Sequence, residues 1–242
     1  VLGASNVSLA WPQLMNVVLR RCRRPVHVLT AHGMGRSYLG LSRFGLRSAP
    51  GILDSGLWSA LDIPDAPPPA AALITDLGND LVYGRSAEDV VQAAADVVNR
   101  IRRRASDCRI TITRPPMSSV KSLSAWRFHL FRLALFPLCD LSLREIQAAA
   151  QQLDEGLQRL DGVTIVSPEP TWFGFDPIHI LRRFRESAFE TYVASWGTND
   201  HDDDPAEAAG QRPTMEIRWV LGRECVHSQP SVTTPLAMVS AW

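Results

Sequence analysis

Four short stretches of this chain carry residue types that together could do acyl-transfer chemistry. The first is Val1-Leu2-Gly3-Ala4-Ser5-Asn6-Val7-Ser8. Two apolar residues and a glycine lead into a serine, and an amphipathic run with Trp11, Leu14, Val17, Val18 and Leu19 follows. This pattern predicts a strand end, a tight turn and a helix start. Ser5 then stands where backbone N–H groups converge and a helix dipole favours negative charge. That suits a nucleophile whose attack creates an oxyanion, although a serine there also reads as a helix cap. The second stretch, His32-Gly33-Met34-Gly35-Arg36-Ser37-Tyr38, sets two glycines just past an apolar strand pattern, where a backbone can approach a ligand closely. The third is Ile74-Thr75-Asp76-Leu77-Gly78-Asn79-Asp80, and the fourth is Phe173-Gly174-Phe175-Asp176-Pro177-Ile178-His179.

A serine hydroxyl is a poor nucleophile until a base takes its proton. His179 is a candidate base. Asp176, three residues earlier, can hold the other ring nitrogen, which fixes the tautomer and stabilises the imidazolium. Asn79 can supply a side-chain N–H₂ to an oxyanion. Taken singly these are ordinary features: asparagine after glycine is common turn chemistry, and a lone histidine is as easily structural. Their order and their shared placement at predicted strand ends give them joint meaning.

A serine, then Gly-Asn-Asp, then Asp-x-x-His, in that order, resembles the SGNH (GDSL-type) hydrolases over roughly residues 1 to 190. The resemblance implies a triad of Ser5, Asp176 and His179. It also implies an oxyanion hole built from the Ser5 N–H, a second-block glycine N–H and the Asn79 side chain. Gly35 fits the glycine role best, with Gly33 close behind and Gly40 or Gly45 as further choices. The first block departs from the family pattern. It reads Gly-Ala-Ser-Asn where Gly-Asp-Ser-Leu is usual, so Ala4 replaces an aspartate outside the triad and Asn6 replaces the leucine. The Gly-x-Ser-x-Gly elbow of α/β-hydrolases is missing, because Val7 stands at its second glycine. The expected activity is hydrolysis of a carboxylic ester, for example an O-acetyl group on a carbohydrate, through an acyl-enzyme on Ser5. Acyl transfer to an alcohol and a non-catalytic binding module on the same fold are the alternatives. No metal or organic cofactor is implied.

Composition narrows the partners. The 25 basic and 25 acidic residues cancel, which weakens readings based on non-specific nucleic-acid or anionic-membrane binding. A small-molecule or carbohydrate ester remains the expected partner, and nothing in the sequence sets the oligomeric state. No apolar run is long enough to span a bilayer. Cys22, Cys108, Cys139 and Cys225 are far apart, with no Cys-x-x-Cys, and scattered thiols fit a reducing compartment. The chain begins inside its expected first strand, which leaves residues upstream, and with them secretion, open.

Strands are predicted at the opening segment, 25–31, 71–75, 109–113 and 162–166, with helical periodicity between them. Such alternation predicts an α/β fold: a three-layer α/β/α arrangement around a mostly parallel five-stranded, flavodoxin-like sheet. Ligands of such folds sit outside the carboxyl ends of the strands, which would gather Ser5, Gly35, Asn79 and the Asp176/His179 loop on one rim. Residues 1–195 form the expected hydrolase-like domain. Residues 196–242 form an extension packed on or beside it, with an acidic loop at Asn199-Asp200-His201-Asp202-Asp203-Asp204 and an edge strand near Met215. Leu123 to Leu138 is apolar on nearly all sides. It reads either as a helix buried against the core or as an acyl-pocket wall, lid or partner surface.

Overall fold

The computed structural model describes all residues except 65, 138, 198–213, 221, 222 and 230. Among the described residues the strands are β1 (Val26–Thr30), β2 (Ser42–Phe44), β3 (Arg47–Ala49), β4 (Ala71–Ile74), β5 (Arg109–Thr113), β6 (Thr164–Val166), β7 (Thr214–Val220), β8 (Arg223–Gln229), β9 (Ser231–Thr233) and β10 (Ala237–Ala241). The α-helices are α1 (Ser5–Leu9), α2 (Trp11–Arg21), α3 (Leu57–Leu61), α4 (Asn79–Val82), α5 (Ala87–Arg104), α6 (Met117–Lys121), α7 (Ala125–Leu135), α8 (Leu143–Leu157) and α9 (Arg185–Tyr192).

The protein is a mixed α/β chain with parallel sheets. β4, β5 and β6 run parallel in that order, and β1 runs parallel to β10, whose other edge pairs antiparallel with β9. The opening segment lies between these two sheets. Leu2 bridges Ala31 on one side and Ile74 on the other, both in parallel. Its N–H donates to the Leu73 carbonyl at 2.8 Å, and its carbonyl accepts from Thr75 N–H at 2.9 Å. The expected five-stranded sheet is therefore not formed as such: four of the expected strands, β1, β4, β5 and β6, are divided between two three-stranded sheets, and the opening segment joins them by single bridges rather than as a strand. The chain turns into α1 at Ser5, so Leu2 alone has room to pair on both sides.

Side-chain alternation along β4 shows what the sheet separates. Ala72 and Ile74 join a core with Ile110, Ile112, α5 and α8, whereas Leu73 joins a core with Val28, α2 and α9. Strands buried on both faces read as continuous apolar runs, as Ala71-Ala72-Leu73-Ile74 does. The helices end where their sequences say they should. The Ser86 side chain caps α5 by accepting from Asp89 N–H, and Ser142 with Glu145 forms a full capping box on α8. Arg20 and Arg21, which read as cations at a helix C-terminus, also pair with Glu186 and Glu190 of α9.

Three features differ from the sequence reading. The first helix is broken at Ala10, because Pro12 in the first turn of α2 has no N–H to continue the ladder. Residues 42–49, outside the predicted elements, form a hairpin that pairs with β7, so the edge strand expected near Met215 lies between β3 and β8. The final segment, for which the sequence offers no local signal, supplies β9 and β10. The Asn199–Asp204 acidic stretch lies outside the described residues.

Candidate active site

Ser5 opens α1 directly after the Leu2 bridge and is 5% exposed. Gly3 makes the turn possible: a Cβ there would stand 2.6 Å from methyl carbons of Thr75 and Val7. The turn is held from the end of β4. Asp76 has a φ of 62°, a left-handed conformation that aspartate tolerates better than most residues. Its Oδ2 accepts from the N–H groups of Ala4 (2.8 Å) and Asn6 (3.1 Å). Among the described residues, no protein acceptor meets the Ser5 N–H that lies between them.

The Asp176–His179 loop comes to this turn from 170 residues away. The Ser5 hydroxyl lies 2.8 Å from His179 Nε2, and His179 Nδ1 lies 2.6 Å from Asp176 Oδ2. The other Asp176 oxygen accepts from the N–H groups of Ile178 (3.0 Å) and His179 (3.1 Å), which stiffens the loop around Pro177. Burial alone would raise the Asp176 carboxyl. The hydrogen bond and charge of His179, with the two backbone N–H groups, outweigh it and hold the carboxyl below its ordinary range. An ionised Asp176 can only accept, so Nδ1 carries a proton and Nε2 is left to accept from Ser5.

Asn6 is the part of the site that sequence reasoning missed. Its Nδ2 donates to Asp76 Oδ1 at 2.8 Å and to the Ile178 carbonyl at 3.0 Å, while its Oδ1 accepts from Ile180 N–H at 2.9 Å. One side chain thus ties the serine turn both to β4 and to the histidine loop. The departure from leucine at this position was the available signal, because a polar residue beside the nucleophile needs partners.

A cavity of about 150 Å³ opens beside the triad, and Ser5, Asn6, Asp76, Gly78 and Asn79 stand on its wall. The Asn79 Nδ2 is buried and has no hydrogen-bond partner. A buried amide without an acceptor is costly, and an oxyanion bound in this cavity would relieve it. Gly35 is not among the residues lining the cavity. It has a φ of 63°, and its carbonyl accepts from the Tyr83 hydroxyl at 2.6 Å. Gly33, Gly40 and Gly45 do not line the cavity either. The second block is instead latched to the third through Asp80, whose carboxylate takes the Ser37 hydroxyl and the N–H groups of Tyr38 (2.9 Å) and Leu39 (3.2 Å). Ser8, another serine of the first block, has its hydroxyl 2.8 Å from His32 Nδ1, and both residues are buried.

No family model matches the chain, and no curated protein matches it. Among the described residues, no helix is long and apolar enough to cross a membrane.

Proposed function

We propose that this protein is a serine esterase of the SGNH type, which hydrolyses a carboxylic ester through an acyl-enzyme on Ser5. The observation that carries the reading is the unbroken hydrogen-bonded line from Ser5 through His179 to Asp176. The proposed architecture is a three-layer one. Five parallel strands run in the order β1, opening segment, β4, β5, β6, with Leu2 as the link.

In the proposed reaction, His179 Nε2 takes the Ser5 proton as Oγ attacks the ester carbonyl carbon. The oxyanion faces the Ser5 N–H and the Asn79 side chain, two donors without protein acceptors among the described residues. His179 then passes its proton to the leaving alkoxide, and the alcohol departs. A water molecule deprotonated by His179 attacks the acyl-Ser5 carbonyl, the same donors hold the second oxyanion, and its collapse breaks the bond to Ser5 Oγ, which takes the proton back from His179 as the carboxylic acid leaves. Asp176 stays ionised throughout and keeps the ring oriented.

The test is covalent. An alkyl fluorophosphonate should form a phosphorus–oxygen bond with Ser5 Oγ, lose fluoride, and leave the serine proton with His179. Intact mass and peptide mapping should place the adduct on Ser5 alone, and His179→Ala should slow its formation. Labelling at Ser8 would move the nucleophile. A folded protein that several such probes leave unlabelled would favour the non-catalytic binding module.

A further inference from the structure

We infer that the cavity beside Ser5 is an acyl-chain site, so that the esters this protein cleaves carry a medium or long aliphatic acyl group in preference to acetyl. The inference rests on Ser5 being the nucleophile and adds what the acyl group must be.

Several of the cavity's polar groups are gathered around Ser5, and most of the rest of its wall is hydrocarbon. Leu123, Phe128, Phe131, Leu135 and Phe136, in and around α7, form one side. Leu81 and Val82 of α4 and Ile146 and Ala150 of α8 form another. The polar side chains on the wall away from Ser5 already have partners. The Thr113 hydroxyl donates to Thr75, Arg114 pairs with Asp154, and Arg132 donates to the Cys139 carbonyl at 3.0 Å. A sugar would find few groups there to replace its water. A hydrocarbon chain needs none, and gains by leaving water.

The placement of helix α7 accounts for one of its apolar faces. Phe128, Phe131 and Leu135 line the cavity, while Trp126, Leu130 and Leu133, spaced for the opposite face, are 61, 48 and 67% exposed. Only Phe128 in the helix is fully buried. A helix meant only to fill a core would hide its large side chains; this one spends its aromatics on a cavity wall. It is also tied to the catalytic loop. Arg127 donates to the Gly174 (3.0 Å) and Phe175 carbonyls, and the rings of Trp126 and Phe131 rest against Phe175. The wall is therefore fixed relative to Asp176 and His179.

The experiment uses the p-nitrophenyl esters of acetate, butyrate, octanoate and dodecanoate, each below the concentration at which it aggregates, with fluorophosphonate labelling of Ser5 in parallel. kcat/KM should rise from acetate by up to about fourfold per methylene, the gain from burying one CH₂, and level once the cavity is full. Ala150→Phe, which adds a ring to the wall, should lower the octanoate-to-acetate ratio at least about tenfold, since losing room for two methylenes is worth more than that. If that variant fails to fold, Phe131→Ala should move the optimum towards longer chains by trimming the wall. Acetate hydrolysed as well as octanoate, with Ser5 still labelled, would overturn the acyl site and leave the triad standing. The same follows if neither variant moves the ratio. Absence of both labelling and turnover would overturn the triad and the acyl site together.

Discussion

Removing the Asn6 side chain should uncouple the nucleophile from its base without touching either. Asn6→Ala deletes three hydrogen bonds: to Asp76 Oδ1, to the Ile178 carbonyl and from Ile180 N–H. Two are neutral, worth about 1 kcal/mol each, and the one to a carboxylate is worth about 1.5–3 kcal/mol. Asn6 is only half-buried, so water can replace part of this sum, and a net loss of about 2–3 kcal/mol is expected. Part of it should appear as misplacement of His179, because Ile178 and Ile180 flank that residue. A displacement near 1 Å costs about 10²-fold in rate, so the labelling rate at Ser5 and kcat should both fall by about that factor, with KM little changed. Asn6→Asp is the sharper control. It keeps the shape and the acceptor for Ile180, but sets a carboxylate oxygen against Asp76 Oδ1 and the Ile178 carbonyl in place of a donor. It should be at least as damaging as alanine. If Asn6 were only a turn residue, aspartate would serve equally well. Unchanged labelling of a folded Asn6→Asp protein would therefore show that this residue does not hold the histidine loop.

Asn79→Ala should lower kcat by about 10²–10³-fold, or roughly 3–4 kcal/mol, as loss of one oxyanion donor does elsewhere. Its melting temperature should hold, because Nδ2 has no partner to lose; normal kcat with a lowered melting temperature would make it a structural residue. Asp176→Asn gives a pH test. The folded protein holds this carboxyl below the ordinary aspartate value. The ionised form therefore contributes stability that is complete above that value and is lost as the pH falls through the lower, folded value. The gap in stability between wild type and Asp176→Asn should be widest near neutrality and close as the pH falls below the ordinary carboxylate range; denaturant melts showing a constant gap would mean the charge is not what His179 and the loop recognise.

Ser5 and Asn79 were legible because each is a polar residue just past an apolar strand pattern, and Asp176 and His179 because they stand three residues apart on the loop after the fifth predicted strand; such patterns are local. Pro12, which breaks the first helix, was equally local but lay within a strong amphipathic periodicity that dominated the reading. What stayed hidden depends on distant pairing. β10 lies beside β1 through residues more than two hundred positions apart, and nothing in Ala237–Ala241 names its partner. α7 was ambiguous for a different reason: apolar residues on all sides are equally the pattern of a buried helix and of one with a cavity on one face. The oxyanion glycine was the weakest inference, since Gly33, Gly35, Gly40 and Gly45 all follow the same strand with no local feature to separate them, and none of them lines the cavity.

The first block has a physical account in its partners. Ala4, before the serine, has a side chain that can hold nothing. The carboxylate that grips the turn comes from Asp76, just past the end of β4, through the N–H groups of Ala4 and Asn6. Asp76 Oδ1 then needs a donor, and an asparagine at position 6 supplies one where leucine could not. The second Asn6 donor and its acceptor are left over, and both are spent on the histidine loop. Asn6 and Asp76 thus act as a pair: the carboxylate that holds the serine turn takes a donor from the amide at position 6, and the same amide joins that turn to the loop that carries His179. A chain with Asp76 and no amide at position 6 would leave a carboxylate oxygen and a pair of loop backbone groups without these partners.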